Sequence, residues 1–317
     1  MSGTTMLGTD PSGGPARLTA TVPREYVHRA AVAEVLLTGW RPRRGGFALT
    51  AQWPRGHSFF LTQPGPRYDP LIVAETVRQA GLLLAHAEFG VPLSHRFLMR
   101  ELGFTADPEA LRLGPAPAEL DLAVTCSDIG RSGRHLKGMR YRVDIRQDER
   151  WTAGGSAWFA CTSAAVYQRL RKESREPAAR PVLTEPVRPE LVGRVSARDV
   201  VLSPADDEDR PAEGATRRWR LRVDQAHPVL FDHPVDHVPG MLLLEAARQA
   251  GQAICAPRRI ILAALQSSFQ KYVEPDQPCW IETGPATACA TGDLRMTITA
   301  RQHGEAVFTA GLTARAL

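Results

Sequence analysis

Glu245 and Arg248 stand three residues apart in MLLLEAARQAG (241–251), a run whose other side chains are almost all apolar or small. Glu75 and Arg78 repeat the arrangement in LIVAETVRQAG (71–81). At that spacing the two charges share one helix face, and an exposed pair adds only about 0.2–0.5 kcal/mol. A helix that is apolar nearly all round is buried, and taking two charges out of water costs several kcal/mol. Such pairs need a compensating role, so all four residues are candidates for chemistry. The carboxylates could serve as bases. The planar guanidinium forks suit an anion such as phosphate.

A second cluster precedes the later run. His227, His233 and His237 lie within HPVLFDHPVDHVPG (227–240). Three histidines invite a metal, but no cysteine stands near and the spacing fits no common zinc pattern, so no metal is expected. His237 is the more specific signal. It lies two residues before Pro239-Gly240, where a helix begins. A free helix N-terminus presents unpaired N–H groups and a positive dipole end. A thioester carbonyl placed there would be polarised and its oxyanion stabilised, with His237 beside it to move a proton. His237, Glu245 and Glu75 all stand as candidates for the base.

These residues belong to a duplicated segment. His57–Gly81 aligns without gaps on His227–Gly251, bringing His57 onto His227, Glu75 onto Glu245, Arg78 onto Arg248, Gln79 onto Gln249 and Gly81 onto Gly251. Internal repetition implies two copies of one domain. In the first copy, strand-like runs at 33–40 and 47–53 precede a helix over 70–87, and runs at 119–126, 139–145 and 151–167 follow it. In the second, strand-like runs at 199–202 and 219–223 precede a helix over 240–254, and runs at 279–283, 294–300 and 306–314 follow. Prolines at 177, 181, 186 and 189 mark an extended linker. The economical solution is α+β: two tandem hotdog domains, each an antiparallel sheet wrapped around a long central helix, joined as a pseudo-dimer within the chain. The predicted organisation is a disordered tail at 1–22, domains at 23–170 and 196–317, and a linker at 171–195. Glycines 81 and 251, costly inside a helix, mark close approach of sheet or ligand.

The copies differ at the helix start. Asp69-Pro70 aligns with Pro239-Gly240, and no histidine matches His237. Asp69 reads as an N-cap and Pro70 as the first helical residue. Its carboxylate would occupy the N–H groups that the second copy leaves open, so only the second helix end is expected to bind a carbonyl.

Composition narrows the class. The chain of 317 residues has 39 basic and 34 acidic side chains, with a net charge of +5. That modest, dispersed excess argues against nucleic-acid binding. Of the basic residues only Lys137, Lys172 and Lys271 are lysines. Five cysteines with no CxxC pair point to a reducing cytoplasm. The N-terminal stretch lacks an apolar signal region, and no apolar run is long enough to span a membrane.

The run PGMLLLEAARQA (239–250) resembles the central helix of β-hydroxyacyl carrier-protein dehydratases, although Phe231 occupies the place of their histidine. A wider resemblance extends from about Val27 to the C-terminus. DPLIVAETVRQA (69–80), FLM (97–99), LRVDQAHPVLF (221–231), DHVPGMLLLEAARQA (236–250) and CWI (279–281) are similar to the A-factor biosynthesis (AfsA-type) family. That resemblance implies an acyltransferase making γ-butyrolactone or butenolide-type signals. It would move a β-ketoacyl group from acyl carrier protein to the hydroxyl of dihydroxyacetone phosphate. Glu75, Glu245 and Arg248 fall on the family's functional helix positions. His237 and Gly240 complete the expected catalytic set, and Arg78, His233, Asp236, Gln249 and Lys271 are expected to contact substrate. No cofactor is expected beyond the carrier's phosphopantetheine, whose arm would need an apolar slot between the domains. A homodimer is the candidate assembly. The alternatives are a hotdog thioesterase or dehydratase acting on acyl carrier protein, or a non-catalytic acyl-binding protein.

Overall fold

The computed structural model describes residues 19–62, 65–172, 183–205 and 217–317. Most of the expected tail, the middle of the expected linker and nearly all of the charged loop at 205–216 lie outside the described residues.

The first copy contains β1 (Leu37–Arg43), β2 (Gly46–Trp53), helix α1 (Leu71–Ala87), β3 (Arg96–Ala106), β4 (Ala118–Ser132), β5 (His135–Gln147), β6 (Arg150–Thr162) and helix α2 (Ala164–Lys172). The second contains β7 (Leu202–Pro204), β8 (Arg217–Leu221), helix α3 (Gly240–Cys255), β9 (Ile260–Phe269), β10 (Cys279–Thr283), β11 (Thr287–Ala288), β12 (Leu294–Gln302) and β13 (Glu305–Ala316). The strands form one sheet in the order β1-β2-β4-β5-β6-β3-β9-β13-β12-β10-β8-β7, with β11 beside β12. Read from either edge, the order of the two copies is the same. They join antiparallel at β3–β9, from Glu101 opposite Ser268 to Thr105 opposite Ala264. This is the expected pair of tandem hotdogs.

The central helices are buried as their composition requires. In α1 only Arg78 and Ala87 escape full burial, and in α3 only Gly240, Arg248, Ile254 and Cys255 do so. Alternating side chains of β5 (Met139, Tyr141, Val143 and Ile145) are turned into the core. The helix glycines mark close approach by the sheet. A Cβ on Gly81 would fall 2.2 Å from the Tyr141 ring, whose hydroxyl donates to the Val77 carbonyl at 3.0 Å. A Cβ on Gly251 would lie 2.9 Å from Leu312 and Met296.

Several boundaries differ from the sequence expectation. The strand expected over 151–167 ends at Thr162, and Ala164–Lys172 is helix. Ser163 starts that helix, accepting from the Val166 amide at 3.4 Å, and its Ala, Gln, Leu, Arg and Lys favour helix. Part of the expected linker, 183–195, folds onto the second copy. Its 3-10 turn Pro189–Val192 packs on α3 as the turn Arg24–Val27 packs on α1. Strands β3 and β9 were not expected at all. Charges at Arg96, Arg100 and Glu101 break the alternation of β3, and β9 opens with an apolar run that has none.

Candidate active site

The two Glu–Arg pairs form two equivalent buried clamps. Glu75 Oε1 accepts from Arg29 Nε at 3.1 Å, Arg78 Nη2 at 2.7 Å and Gln79 Nε2 at 2.7 Å, while Oε2 accepts from Arg78 Nε at 2.9 Å. Glu245 Oε1 accepts from Arg194 Nε at 2.8 Å, Arg248 Nη2 at 2.7 Å and Gln249 Nε2 at 2.6 Å, and Oε2 from Arg248 Nε at 2.8 Å. Both carboxylates are 0% exposed. Burial would raise their pKa values, but the flanking arginines outweigh it and hold both at about 2. Gln249 also accepts from the Val201 amide and donates to the Asp199 carbonyl, as Gln79 does with Leu36 and Glu34. Each clamp reaches into the other copy. Arg29 Nη1 donates to the Val229 carbonyl at 3.0 Å, and Arg194 Nη1 to the Phe59 carbonyl at 2.7 Å.

A cavity of about 590 Å³ opens between the copies. It brings together six of the expected residues: His237, Gly240, Arg78, His233, Asp236 and Lys271. Glu75, Glu245, Arg248 and Gln249 do not line it. These four lie behind the wall or in the other clamp, where both carboxylates are fully buried and held by arginine and glutamine donors. The geometry gives them the work of holding the helices and copies together. His227, also outside the cavity, holds a turn: its Nδ1 accepts from the Val229 and Leu230 amides, as His57 Nδ1 does from Phe59 and Phe60.

On the cavity wall, Asp236 Oδ1 lies 2.9 Å from His237 Nδ1 and accepts from the Tyr167 hydroxyl at 2.7 Å. The hydrogen bond to His237, then those of Tyr167 and the charge of Arg171, hold Asp236 well below the usual carboxylate range against the opposing effect of burial. An ionised Asp236 only accepts, so Nδ1 of His237 carries its proton and Nε2 is left for chemistry. Burial and then Asp236 push the Tyr167 hydroxyl far above its usual value, keeping it a donor. Arg171 of α2 secures the assembly through the Asp236 carbonyl at 2.7 Å and an ion pair with Glu274.

Three residues after His237, α3 begins at Gly240 with no side-chain cap. Gly240 lies on the cavity wall, and a Cβ there would sit 3.2 Å from the Phe269 ring. The other helix starts at Leu71 with Pro70 in the N-cap place, one residue later than the sequence suggested, and Asp69 still covers that end. Asp69 Oδ1 accepts from the Leu71 amide at 3.0 Å, and Oδ2 lies 3.5 Å from Arg194 Nη2 and 3.6 Å from Arg248 Nε. Arg248 is thus covered by a carboxylate, whereas its counterpart Arg78 faces the cavity, with no partner for Nη1 among the described residues.

Sequence reasoning missed the cavity's other cations. Arg96 and Arg100 reach it from β3. The β3–β6 register jumps from Met99–Phe159 to Glu101–Trp158, so Arg100 is the extra residue of a bulge. Bulges re-aim a side chain beside a site. Arg100 has no carboxylate partner among the described residues. The FLM motif flanked by arginines was the available signal; the bulge that turns Arg100 has no signature in one sequence. Lys271 is a rim residue, more than half exposed and paired with Glu305. Arg301 pairs with Glu282 away from the cavity.

Known proteins give this geometry a context. A family model described as the A-factor biosynthesis hotdog domain matches residues 12–163 and again 176–317. A Streptomyces virginiae protein named 2-oxo-3-(phosphooxy)propyl 3-oxoalkanoate synthase is 52% identical over 292 residues, covering 92% of this chain and 96% of its own. A Streptomyces coelicolor protein of the same name is 40% identical over 291 residues, covering 90% of this chain and 89% of its own. Among solved structures, a 12:0-ACP thioesterase from Umbellularia californica shares the fold, with a TM-score of 0.52 at 11% identity over 85% of this chain and 94% of that one. With both halves matched in sequence and each folded as a hotdog, the chain belongs to the A-factor biosynthesis hotdog (AfsA) family.

Proposed function

We propose that this protein is an acyltransferase that moves a 3-oxoacyl group from the thioester of an acyl carrier protein to the hydroxyl of dihydroxyacetone phosphate. The product is the ester that its relatives' name describes, a 2-oxo-3-(phosphooxy)propyl 3-oxoalkanoate, a precursor of butyrolactone or butenolide-type signals. The observation that carries the reading is the pairing, in one cavity, of an uncapped helix start beside Asp236–His237 with three arginines, Arg78, Arg96 and Arg100.

The arginines receive the phosphate as charge-assisted forks. Apolar walls at Phe97, Leu98, Met99, Leu243 and Leu244 take the acyl chain and the pantetheine arm. The thioester carbonyl lies against the start of α3, where the amides and the dipole stabilise the tetrahedral oxyanion. His237, as an imidazolium whose Nδ1–H is tied to Asp236, gives its Nε2 proton to the sulfur as it departs. The start of α1, filled by Asp69, takes no part, so the chain has one active cleft.

Incubation with a 3-oxoacyl thioester on acyl carrier protein and dihydroxyacetone phosphate, followed by mass spectrometry, tests the reading. The phosphorylated ester is the expected product. Free 3-oxo acid alone would make the protein a thioesterase, and loss of water from a 3-hydroxyacyl thioester would make it a dehydratase.

A further inference from the structure

The duplication supplies an internal control for the backbone. The 3-10 turn Arg24–Val27 ends at His28, whose φ is +52°, and its counterpart Pro189–Val192 ends at Gly193, whose φ is +66°. Both turns close the same way: the next amide, of Arg29 or Arg194, donates back to Arg24 or Pro189 at 3.0 and 2.9 Å. Those arginines are the equivalent members of the two clamps. Glycine adopts this left-handed conformation freely, whereas another residue is strained there. The first copy keeps a histidine where the second shows that glycine is sufficient. Strain retained at one copy alone points to a function of the side chain.

The ring of His28 lines the cavity. Its Nε2 lies 2.8 Å from Nε2 of His86, and His86 Nδ1 lies 2.7 Å from the Val91 carbonyl. A carbonyl only accepts, so His86 Nδ1 carries its proton and a neutral His86 accepts at Nε2. His28 Nε2 must then donate, which leaves Nδ1 as its lone-pair atom. That atom has no protein partner among the described residues, and its ring lies on the cavity wall. Phe97 packs edge-on against both rings at 5.3 and 5.2 Å. The second copy has no such pair, since Gly193 and Ala256 occupy the equivalent places. Asp232 fixes the segment from the other side, accepting from the Ala30 and Ala31 amides.

We propose that His28 is the catalytic base for the acceptor hydroxyl, oriented by His86. The inference rests on the acyl-transfer reading above and names the residue which that reading lacks. An acceptor-only nitrogen recognises an O–H, and dihydroxyacetone phosphate with its phosphate dianionic has one. The signs of the neighbouring charges divide the two cavity imidazoles. His237 has a carboxylate on its Nδ1, suited to a donor. His28 is surrounded by His86, Arg78, His233 and Arg96, and burial foremost, then these groups, press its pKa down to about 3. A phosphate seated on Arg78 and Arg96 cancels two of those positive charges, so the ring gains proton affinity when the acceptor arrives. In the step itself, the O–H bond breaks and its proton passes to His28 Nδ1 while the oxygen bonds to the thioester carbon. The C–S bond then breaks, an imidazolium His237 gives its Nε2 proton to the departing thiolate while Asp236 keeps the Nδ1–H, and proton exchange with water returns the proton from His28 and restores the one lost by His237.

The test is His28→Gly, a backbone that Gly193 shows to be compatible, with His28→Asn beside it, which tolerates the left-handed turn but cannot take the proton. Both are assayed with the 3-oxoacyl carrier-protein thioester and dihydroxyacetone phosphate. The expected result is a fall in kcat of roughly 100-fold or more in both, little change in KM for the phosphate acceptor, undiminished thermal stability, and partial recovery of His28→Gly in added imidazole. Wild-type kcat in either variant overturns the assignment. A loss of activity that tracks a lower melting temperature and is untouched by imidazole overturns it too, making His28 structural. Wild-type protein that forms no ester would sink the acyl-transfer reading and, with it, this one.

Discussion

Glu75 and Glu245 each accept four hydrogen bonds from two guanidiniums and one amide, wholly out of water. Converting either to glutamine takes the hydrogen-bonded carboxylate from two buried arginines, although Asp69 stays beside Arg194 and Arg248. Breaking a buried pair from one side costs about 3–5 kcal/mol, because the remaining charge stays desolvated. We therefore expect Glu245→Gln and Glu75→Gln each to lower the urea midpoint, Glu75→Gln the more, with the slope of the transition unchanged. Normal unfolding midpoints with severely reduced turnover would instead place these carboxylates in the chemistry. The cavity side chains behave differently. His237, Arg78 and Arg100 keep a lone pair or an N–H turned toward space that a substrate can fill.

Helix starts are where the two copies diverge in use. Both central helices carry the same Glu, Arg, Gln and Gly at the same positions, yet Asp69 closes one start and Gly240 opens the other. Gly240→Val would drive a branched side chain toward Phe269, already 3.2 Å from a Cβ, and cover the amides offered to the carbonyl. Its kcat/KM should fall about 100-fold, the scale of a lost oxyanion contact, with little change in melting temperature. Asp69→Asn removes the anion between Arg194 and Arg248, so it should lower the melting temperature and spare kcat/KM. Thermal melts and steady-state rates on the same two preparations decide the matter, and a reversed pattern would assign the active end to α1. Two elements, β3 and β9, were illegible beforehand. Arg100's bulge shifts the side-chain phase of β3 within the strand, and β9 in mid-sheet shows no polar alternation.

At the scale of the molecule the copies are interlocked. The β3–β9 seam, the crossing donors Arg29 and Arg194, and Asp232 on the Ala30 and Ala31 amides tie each copy to the other. One cooperative transition should therefore report all the buried ionisable groups, and acid should act in two stages. His28 binds its proton near pH 6.5 when unfolded but only near 3 when folded. The unfolded state thus binds more protons as pH falls below 6.5, and stability declines. Glu75 and Glu245 titrate from 4.5 in the unfolded chain and from about 2 in the folded one. Their contribution is present above pH 4.5 and is lost as pH falls toward 2. Melting temperatures followed by circular dichroism should decline gently from pH 6.5 and steeply below 4.5, and His28→Gly should lessen the gentle phase. A melting temperature that stays flat down to pH 3 would contradict both assignments.

The duplication, the two helices, the recurring Glu–Arg pairs and the contrast between Asp69 and Gly240 were all legible in the chain, because helix spacing and capping are local properties that residue types a few positions apart decide. The role of each pair was not. Arg78 and Arg248 have the same local neighbours and the same carboxylate three residues before them, and only the opposite copy separates them: it sets Asp69 over Arg248 and leaves a cavity over Arg78. His28, Arg96, Arg100 and Tyr167 likewise meet His233, Asp236 and His237 only because the two copies fold against one another. Exposure and charge environment are sums over neighbours in space, so two matching Glu–Arg pairs came to differ, Arg248 lying under Asp69 and Arg78 on the wall of the cavity.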